Sequence, residues 1–298
     1  MTDPWQRRPP EHTLRWAAEA ISSAATVASV RRLALGGWHV NHALTVNDGA
    51  GKAHRLVLRR WARPHWAVED PDLTAAREAT VLELLAPTPV PAPRLIAADP
   101  DATICDVPTL LISHLPGHPP GLPADIASFL ARLAEALPTI HAVDPRAVPD
   151  YRTDRDLSLA TPPTWSRQPE LWQQALDVVG SEPPPGPRCF IHRDYHPENT
   201  LWSGGQLTAI VDWTQASRGP AAVDTAHMRW NLGLTYGLDA ADEVLRVHQS
   251  LAGAFEDQSY WDLTTALDVL IDPDPTNWTR FDIDRLERYL HRVLTQVA

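Results

Sequence analysis

The run FIHRDYHPENTLW, Phe190 to Trp202, sets His192, Arg193, Asp194, His196, Glu198 and Asn199 close together between apolar ends. A second run, LTAIVDWTQ, places a lone carboxylate, Asp212, directly behind Ala209, Ile210 and Val211. Taken as chemistry, Asp194 in a polar turn beside His192 suits a carboxylate that orients a hydroxyl and takes its proton. Asn199 and Asp212 offer oxygens to a hard cation such as Mg²⁺. A carboxylate buried in an apolar strand is strongly disfavoured when unpartnered, so Asp212 needs a metal or a donor beside it. Plainer readings stand next to these: Asp212 as a turn cap and His196 as a hydrogen-bonding core group. His192-x-Asp194-x-His196 also fits a transition-metal cluster of a zinc-dependent hydrolase, but no convincing further ligands follow at usable spacing.

The elements that must hold these residues follow from periodicity and turn chemistry. RCFIH and TAIVDW read as strands, with an SGGQ turn ahead of the second, which puts the polar residues at strand ends. From Glu11 to about Ser29, Leu14, Ala17, Ala18, Ile21 and Ala25 recur at helical spacing and predict one amphipathic helix. Asn47-Asp48-Gly49 between HALTV and HRLVLRR predicts a hairpin. DLTAAREATVLELLA predicts a helix stopped by the prolines from Pro87 onward. RLIAADPDATICDVPTLLISHL predicts two or three strands around an Asp-Pro-Asp turn, and ADIASFLARLAEALPTIHAV another helix. The breakers of PGHPPGLP separate a β-rich part from an α-rich one, giving predicted domains 1–115 and 116–298. The span up to about Gly186 reads as loop-rich, and four helical patterns follow the motif, from DTAHMRWNLGLTYG to DIDRLERYLHRVLTQ.

Composition narrows the partners. A chain of 298 residues accommodates two subdomains that share a site. The net charge of −11, without a basic stripe, argues against nucleic acid and anionic membrane surfaces. Cys105 and Cys189 are the only cysteines and lack metal-type spacing, which points to a reducing compartment. The apolar segment near the N-terminus is interrupted by Glu19 and too weak for a signal peptide or a span, so the expected location is the cytoplasm and the expected state a monomer or homodimer.

HRDYHPEN followed by IVDW resembles the catalytic loop and metal-binding segment of the aminoglycoside phosphotransferase and choline kinase-like family. The resemblance implies an α+β, two-lobed protein-kinase-like fold with a small β-rich N-lobe and a larger, mostly helical C-lobe. It implies Asp194 as the base, Asn199 and Asp212 as Mg²⁺ ligands, and ATP or GTP as phosphoryl donor to a small-molecule hydroxyl. Trp213 after the metal Asp, in place of Phe-Gly, favours the small-molecule branch. GPAAVDTA resembles the family segment whose Asp, here Asp224, helps hold the catalytic loop together with His192; Asp224 equally reads as an N-cap of a helix beginning at Thr225.

A kinase-like reading also calls for a strand cation paired with a helix carboxylate. Lys52 is the sole lysine and falls in the hairpin turn, so the cation has to be an arginine. Alternation along LVLRR puts Val57 and Arg59 on one face and Leu58 and Arg60 on the other. Arg59 then takes the phosphate-gripping place, with Val57 against the adenine, Glu78 as its helix partner and Glu83 as the fallback; an outward-facing Arg59 is the plainer reading. The family's looser glycine turn is matched by LGGWHVNH, which implies Gly36, Gly37 and Asn41 near the phosphates. The hinge falls at Ser113 to Leu115, where the backbone of Ser113 and Leu115 would meet the adenine edge. From Val223 onward 13 acidic residues face 6 arginines, which suits a polycationic acceptor such as an aminoglycoside, or is simply the solvated side of helices. A catalytically silent nucleotide-binding protein of the same fold would carry the same motifs.

Overall fold

Alternation along VNHALTVN, with Val40, His42, Leu44 and Val46 buried, makes Val40–Asn47 a strand (β2) with one face on a core. It belongs to a five-stranded antiparallel sheet in the order β1 (Thr26–Arg32), β2, β3 (Ala53–Arg60), β5 (Thr109–Ser113), β4 (Leu95–Asp99). This computed structural model describes residues 8–33, 39–62, 73–153, 157, 160–254, 257–268 and 280–296. The chain divides into two compact units, residues 1–117 with 208–215, and residues 118–207 with 216–298.

In the first unit, helix α1 (Glu11–Glu19) lays Leu14, Ala17 and Ala18 on Leu44, Val46, Leu56, Leu58 and Leu111. The helix is shorter than the periodicity to Ser29 suggests. Ser22 and Ser23, which compete for backbone hydrogen bonds, follow its end, and the β-branched Thr26, Val27 and Val30 pair instead with β2. The β2–β3 hairpin is present, but its turn is wider than Asp-Gly alone would make. Asp48 Oδ1 accepts from the amides of Ala50 (3.0 Å) and Lys52 (2.8 Å), and Gly51, at φ 87°, takes the left-handed position. Gly49 is required for a different reason: a Cβ there would lie 2.7 Å from that of Ala24.

Leu56 and Leu58 face α1, so Val57 and Arg59 point to the other side of β3. On that side runs α2 (Ala75–Leu85), started by Thr74, whose side chain accepts from the Arg77 amide. Two strands, not three, fill the segment after it. Asp99 closes β4 by accepting from the amides of Thr103, Ile104 and Cys105, which organises the loop leading to β5.

The second unit is built on helices α3 (Ile126–His141), α4 (Pro169–Val179), α5 (Ala222–Thr235), α6 (Leu238–Ala252), α7 (Gln258–Leu267) and α8 (Arg280–Leu294). Helix α4 lies in the span expected to be loop-rich. Pro169 opens it, and Leu171, Trp172, Ala175, Leu176 and Val179 form a buried stripe that flanking prolines hide in the sequence. This stripe packs on Leu263 and Leu267 of α7 and on Leu286, Tyr289 and Leu290 of α8. Strands β6 (Cys189–Ile191) and β9 (Ser217–Gly219) pair beside α5, while β7 (Thr200–Ser203) and β8 (Gln206–Ile210) carry the chain onward into the first unit. Among the described residues no helix is long and apolar enough to cross a membrane.

Candidate active site

In the first unit the strand cation meets three partners. Arg59 Nε donates to Glu78 Oε2 at 2.6 Å, and Nη2 donates to Asp212 and, at 3.1 Å, to Thr214 Oγ1. Thr214 Oγ1 in turn lies 3.2 Å from Glu78 Oε2 and 3.1 Å from Asp212 Oδ1. The guanidinium also sits 5.4 Å from the centre of the Trp61 ring. Glu78, rather than Glu83, is thus the partner of Arg59, and its side chain is only 2% exposed. Burial pushes the Glu78 carboxyl up, an effect that Arg59 opposes. Burial works against the charge on Arg59, but Asp212 and Glu78 hold its pKa above the ordinary value. Among the described residues Arg59 Nη1 has no hydrogen-bond partner, which leaves two donors on the fork for an anion.

Asp212 follows β8 at φ 66°, a left-handed backbone that is uncommon outside glycine but that Asp tolerates better than most residues. Arg59 and Thr214 of this same unit donate to it, which compensates the charge in the apolar run.

Arg60, one residue beyond Arg59, is buried on the opposite face and pairs with Asp106, which also accepts from Thr13 Oγ1 at 3.0 Å. Arg60 therefore ties the sheet to α1 and the loop after β4. Val57 is half-buried on the Arg59 face, and Asn41 lies opposite Arg59 in the β2–β3 register. Gly36 and Gly37 lie outside the described residues. At the expected hinge, the Ser113 amide donates to Arg94 O (2.9 Å) and the His114 amide to Arg55 O (3.1 Å), while Leu115 is half-buried.

In the second unit the polar loop hangs from one buried carboxylate. Asp224 accepts from the amides of His192 (3.0 Å) and Arg193 (2.7 Å), and His141 Nε2 lies 3.0 Å from it. Arg193 is held at φ 71° by this arrangement. Burial raises the Asp224 carboxyl, but these contacts, His141 foremost, bring it below the usual range. Helix α5 begins at Ala222, so Asp224 lies inside its first turn and is not an N-cap of a helix starting at Thr225. The reading as a cap fails because the side chain turns away from its own helix to satisfy the loop amides. His192 is fully buried beside Tyr195, whose hydroxyl donates to Leu133 O at 2.9 Å.

Asp194 is the meeting point of that loop. Asn199 Nδ2 donates to both Asp194 O (2.9 Å) and Asp194 Oδ2 (2.8 Å). His227 Nε2 lies 2.9 Å and His196 Nε2 3.6 Å from Asp194 Oδ1. Burial raises the Asp194 carboxyl, yet the contact with His227, with His196 and His192 adding to it, leaves it well below the carboxylate range. His227 shifts upward in return, its burial outweighed by the same contact.

The sequence pattern of the Phosphotransferase enzyme family matches residues 30–255. The chain belongs to this family. It is 27% identical over 169 residues to hygromycin-B 4-O-kinase of Escherichia coli, a match that spans 49% of this chain and about half the length of that relative, 49%. A thermostable mutant of aminoglycoside phosphotransferase APH(4)-Ia, solved with ADP and hygromycin B, superposes with a TM-score of 0.61 at 19% identity, covering 92% of this chain and 95% of that one. Macrolide 2'-phosphotransferase MphH from Brachybacterium faecium gives 0.61 at 18% identity, over 94% and 98% of the two chains. These likenesses establish the protein-kinase-like fold, with its β-rich and its mostly helical part.

Among these site residues, sequence reasoning missed Thr214, His141 and His227. Thr214 had a signal, standing two residues after Asp212 in IVDWTQ. His141 and His227 sit on helices far along the chain from the residues they touch, and a single sequence holds no mark of those contacts.

Proposed function

We propose that this phosphotransferase moves the γ-phosphoryl group of ATP or GTP to a hydroxyl of a small molecule, with an antibiotic of aminoglycoside or macrolide type as the acceptor class. The observation that carries this reading is the Asp194 carboxylate, fixed through Oδ2 by Asn199 and met at Oδ1 by His227. The acceptor oxygen forms the new bond to the γ-phosphorus, the bond to the β–γ bridging oxygen breaks, and the hydroxyl proton passes to Asp194. A carboxylate placed in this way orients the hydroxyl and takes its proton as the phosphoryl group transfers, which suits a loose transition state.

Arg59 grips the donor phosphates through its remaining nitrogen, held in place by Glu78, and Val57, Asn41, Ser113 and Leu115 line the nucleotide's place. His192 and Asp224 keep the catalytic loop in shape. The donor sets fit Mg²⁺. Both amide hydrogens of Asn199 go to Asp194, so its carbonyl oxygen is the atom it offers elsewhere, and Asp212 brings a carboxylate, both oxygen donors of the kind Mg²⁺ takes. When bound there, Mg²⁺ neutralises the charge of the phosphates.

The acceptor is less constrained than the donor. Of the acidic surplus after Val223, Asp242 and Asp262 are taken by Arg229, Glu243 by Arg246, and Glu287 by Ser166, Gln168 and Trp172. Part of that charge is therefore already paired, and a polycationic acceptor draws only on what remains. The support for the antibiotic class is the solved complex of APH(4)-Ia with hygromycin B and the macrolide enzyme.

An acceptor screen with Mg·ATP and Mg·GTP, read by mass spectrometry, tests the function. One acceptor should gain about 80 daltons, the mass of a transferred phosphoryl group. No product with any hydroxyl acceptor, alongside tight nucleotide binding, would leave the silent nucleotide-binding reading. Asp212→Asn is expected to weaken Mg²⁺-dependent nucleotide binding, since an amide oxygen replaces a charged ligand. Calorimetry with and without Mg²⁺ checks this, and an unchanged metal dependence would remove Asp212 from the ligand set.

A further inference from the structure

We propose that Asp194, His196 and His227 form a site for a divalent transition-metal ion such as Zn²⁺, and that filling it silences the carboxylate used in phosphoryl transfer. The second half of this statement rests on the function proposed above; the first does not.

One ligand atom from each of the three residues lies within 4.8 Å of the other two. The nitrogens of His227 and His196 stand 2.9 and 3.6 Å from the same oxygen, Oδ1. Tetrahedral zinc bonds of about 2.0–2.2 Å separate ligand atoms by roughly 3.3–3.6 Å. Relative to the carboxylate each imidazole needs to move by a few tenths of an ångström, and the ligand nitrogens of the two rings, within 4.8 Å of each other, need to close by at most about 1 Å. The side chains of Asp194, His196 and His227 are 25%, 16% and 27% exposed, so an ion from solvent reaches them.

The support is rigid. Asn199 holds the other oxygen, Oδ2, and so fixes which edge of the carboxylate faces the rings. His227 stands on α5, and Asp224 of the same helix hangs the loop that carries Asp194 and His196. Two imidazoles with one carboxylate suit zinc, cobalt, nickel or copper, whereas Mg²⁺ prefers oxygen ligands. The site is therefore chemically distinct from the pair Asn199 and Asp212. The run His192-x-Asp194-x-His196 does not form it: His192 is buried beside Tyr195, and the third ligand comes from another helix.

The test uses the full chain without nucleotide, titrated with Co²⁺ and followed by its visible d–d absorption. Wild type is expected to bind one equivalent with the intense spectrum of a four- or five-coordinate, nitrogen-ligated ion, displaced by Zn²⁺. His227→Gln and His196→Gln, each checked for folding by circular dichroism, should bind at least about 10-fold more weakly, since even outer-shell changes at metal sites cost this much. The weak spectrum of aqueous Co²⁺, or variants that titrate like wild type, would overturn the site and leave a plain imidazolium–carboxylate pair. In a transfer assay with excess Mg·ATP, Zn²⁺ should inhibit wild type and inhibit His227→Gln less. Stoichiometric binding without inhibition would overturn the second half alone.

Discussion

Asp194→Ala is expected to lower kcat by roughly 10²- to 10⁴-fold while changing nucleotide affinity little, the usual signature of a positioned base. The side chain engages Asn199, His196 and His227, all in the second unit, whereas Arg59 and Glu78, proposed to hold the phosphates, belong to the first. Alanine also releases the Asn199 amide, so Asp194→Asn is the sharper companion. It keeps an oxygen for that amide and removes only the negative charge, and it should lose transfer nearly as fully. Single-turnover rates and nucleotide Kd by calorimetry separate the two quantities. A variant that kept more than about a tenth of the wild-type kcat would not have lost its base.

Arg59 and Arg60 are expected to fail in different ways, although they are neighbours. Arg59→Ala removes the cation shared by Glu78 and Asp212, and should both impair nucleotide use and destabilise the fold by about 3–5 kcal/mol, the usual cost of stranding a buried charge. Arg59→Lys keeps the charge but loses the fork that reaches Glu78, Asp212 and Thr214 together. It should stay folded and active with nucleotide KM raised a few-fold. Arg60→Ala strands Asp106 instead, and should lower Tm with KM unchanged. Glu78→Gln retains an acceptor for Arg59 Nε and should reproduce part of the Arg59 defect. Combined with Arg59→Lys, the total should be smaller than the sum, since both act through one contact. Equal shifts in KM at the two arginines, or strict additivity with Glu78, would place the phosphate anchor elsewhere.

What the sequence discloses depends on how local the cause is. The face assignment of Arg59 needs only the alternation of a strand, and LVLRR carries it in five residues. The polar loop is legible because its residues are consecutive. The first helix is overextended by periodicity, because Ile21 and Ala25 continue a stripe that the backbone abandons in favour of pairing with β2. Helix α4 is obscured by the opposite problem, prolines on both sides of an intact stripe. Arg60 looks dispensable in the sequence, since its partner Asp106 lies across a loop of its own. The same distance in sequence hides His227, which faces Asp194 only after α5 has packed.

The first unit is not one continuous stretch of chain, since residues 208–215 complete it. Asp212 joins Arg59 across 153 residues. On a ribosome adding about 5–20 residues per second, Arg59 and Glu78 emerge roughly 7–31 s before the carboxylate and the threonine that finish their cluster. In that interval the sheet has its strands but lacks part of the charge balance beneath β3. The nascent N-terminal part is thus kept from completing this cluster alone, and translation through Gln215 sets the earliest moment at which Arg59 reaches its final geometry.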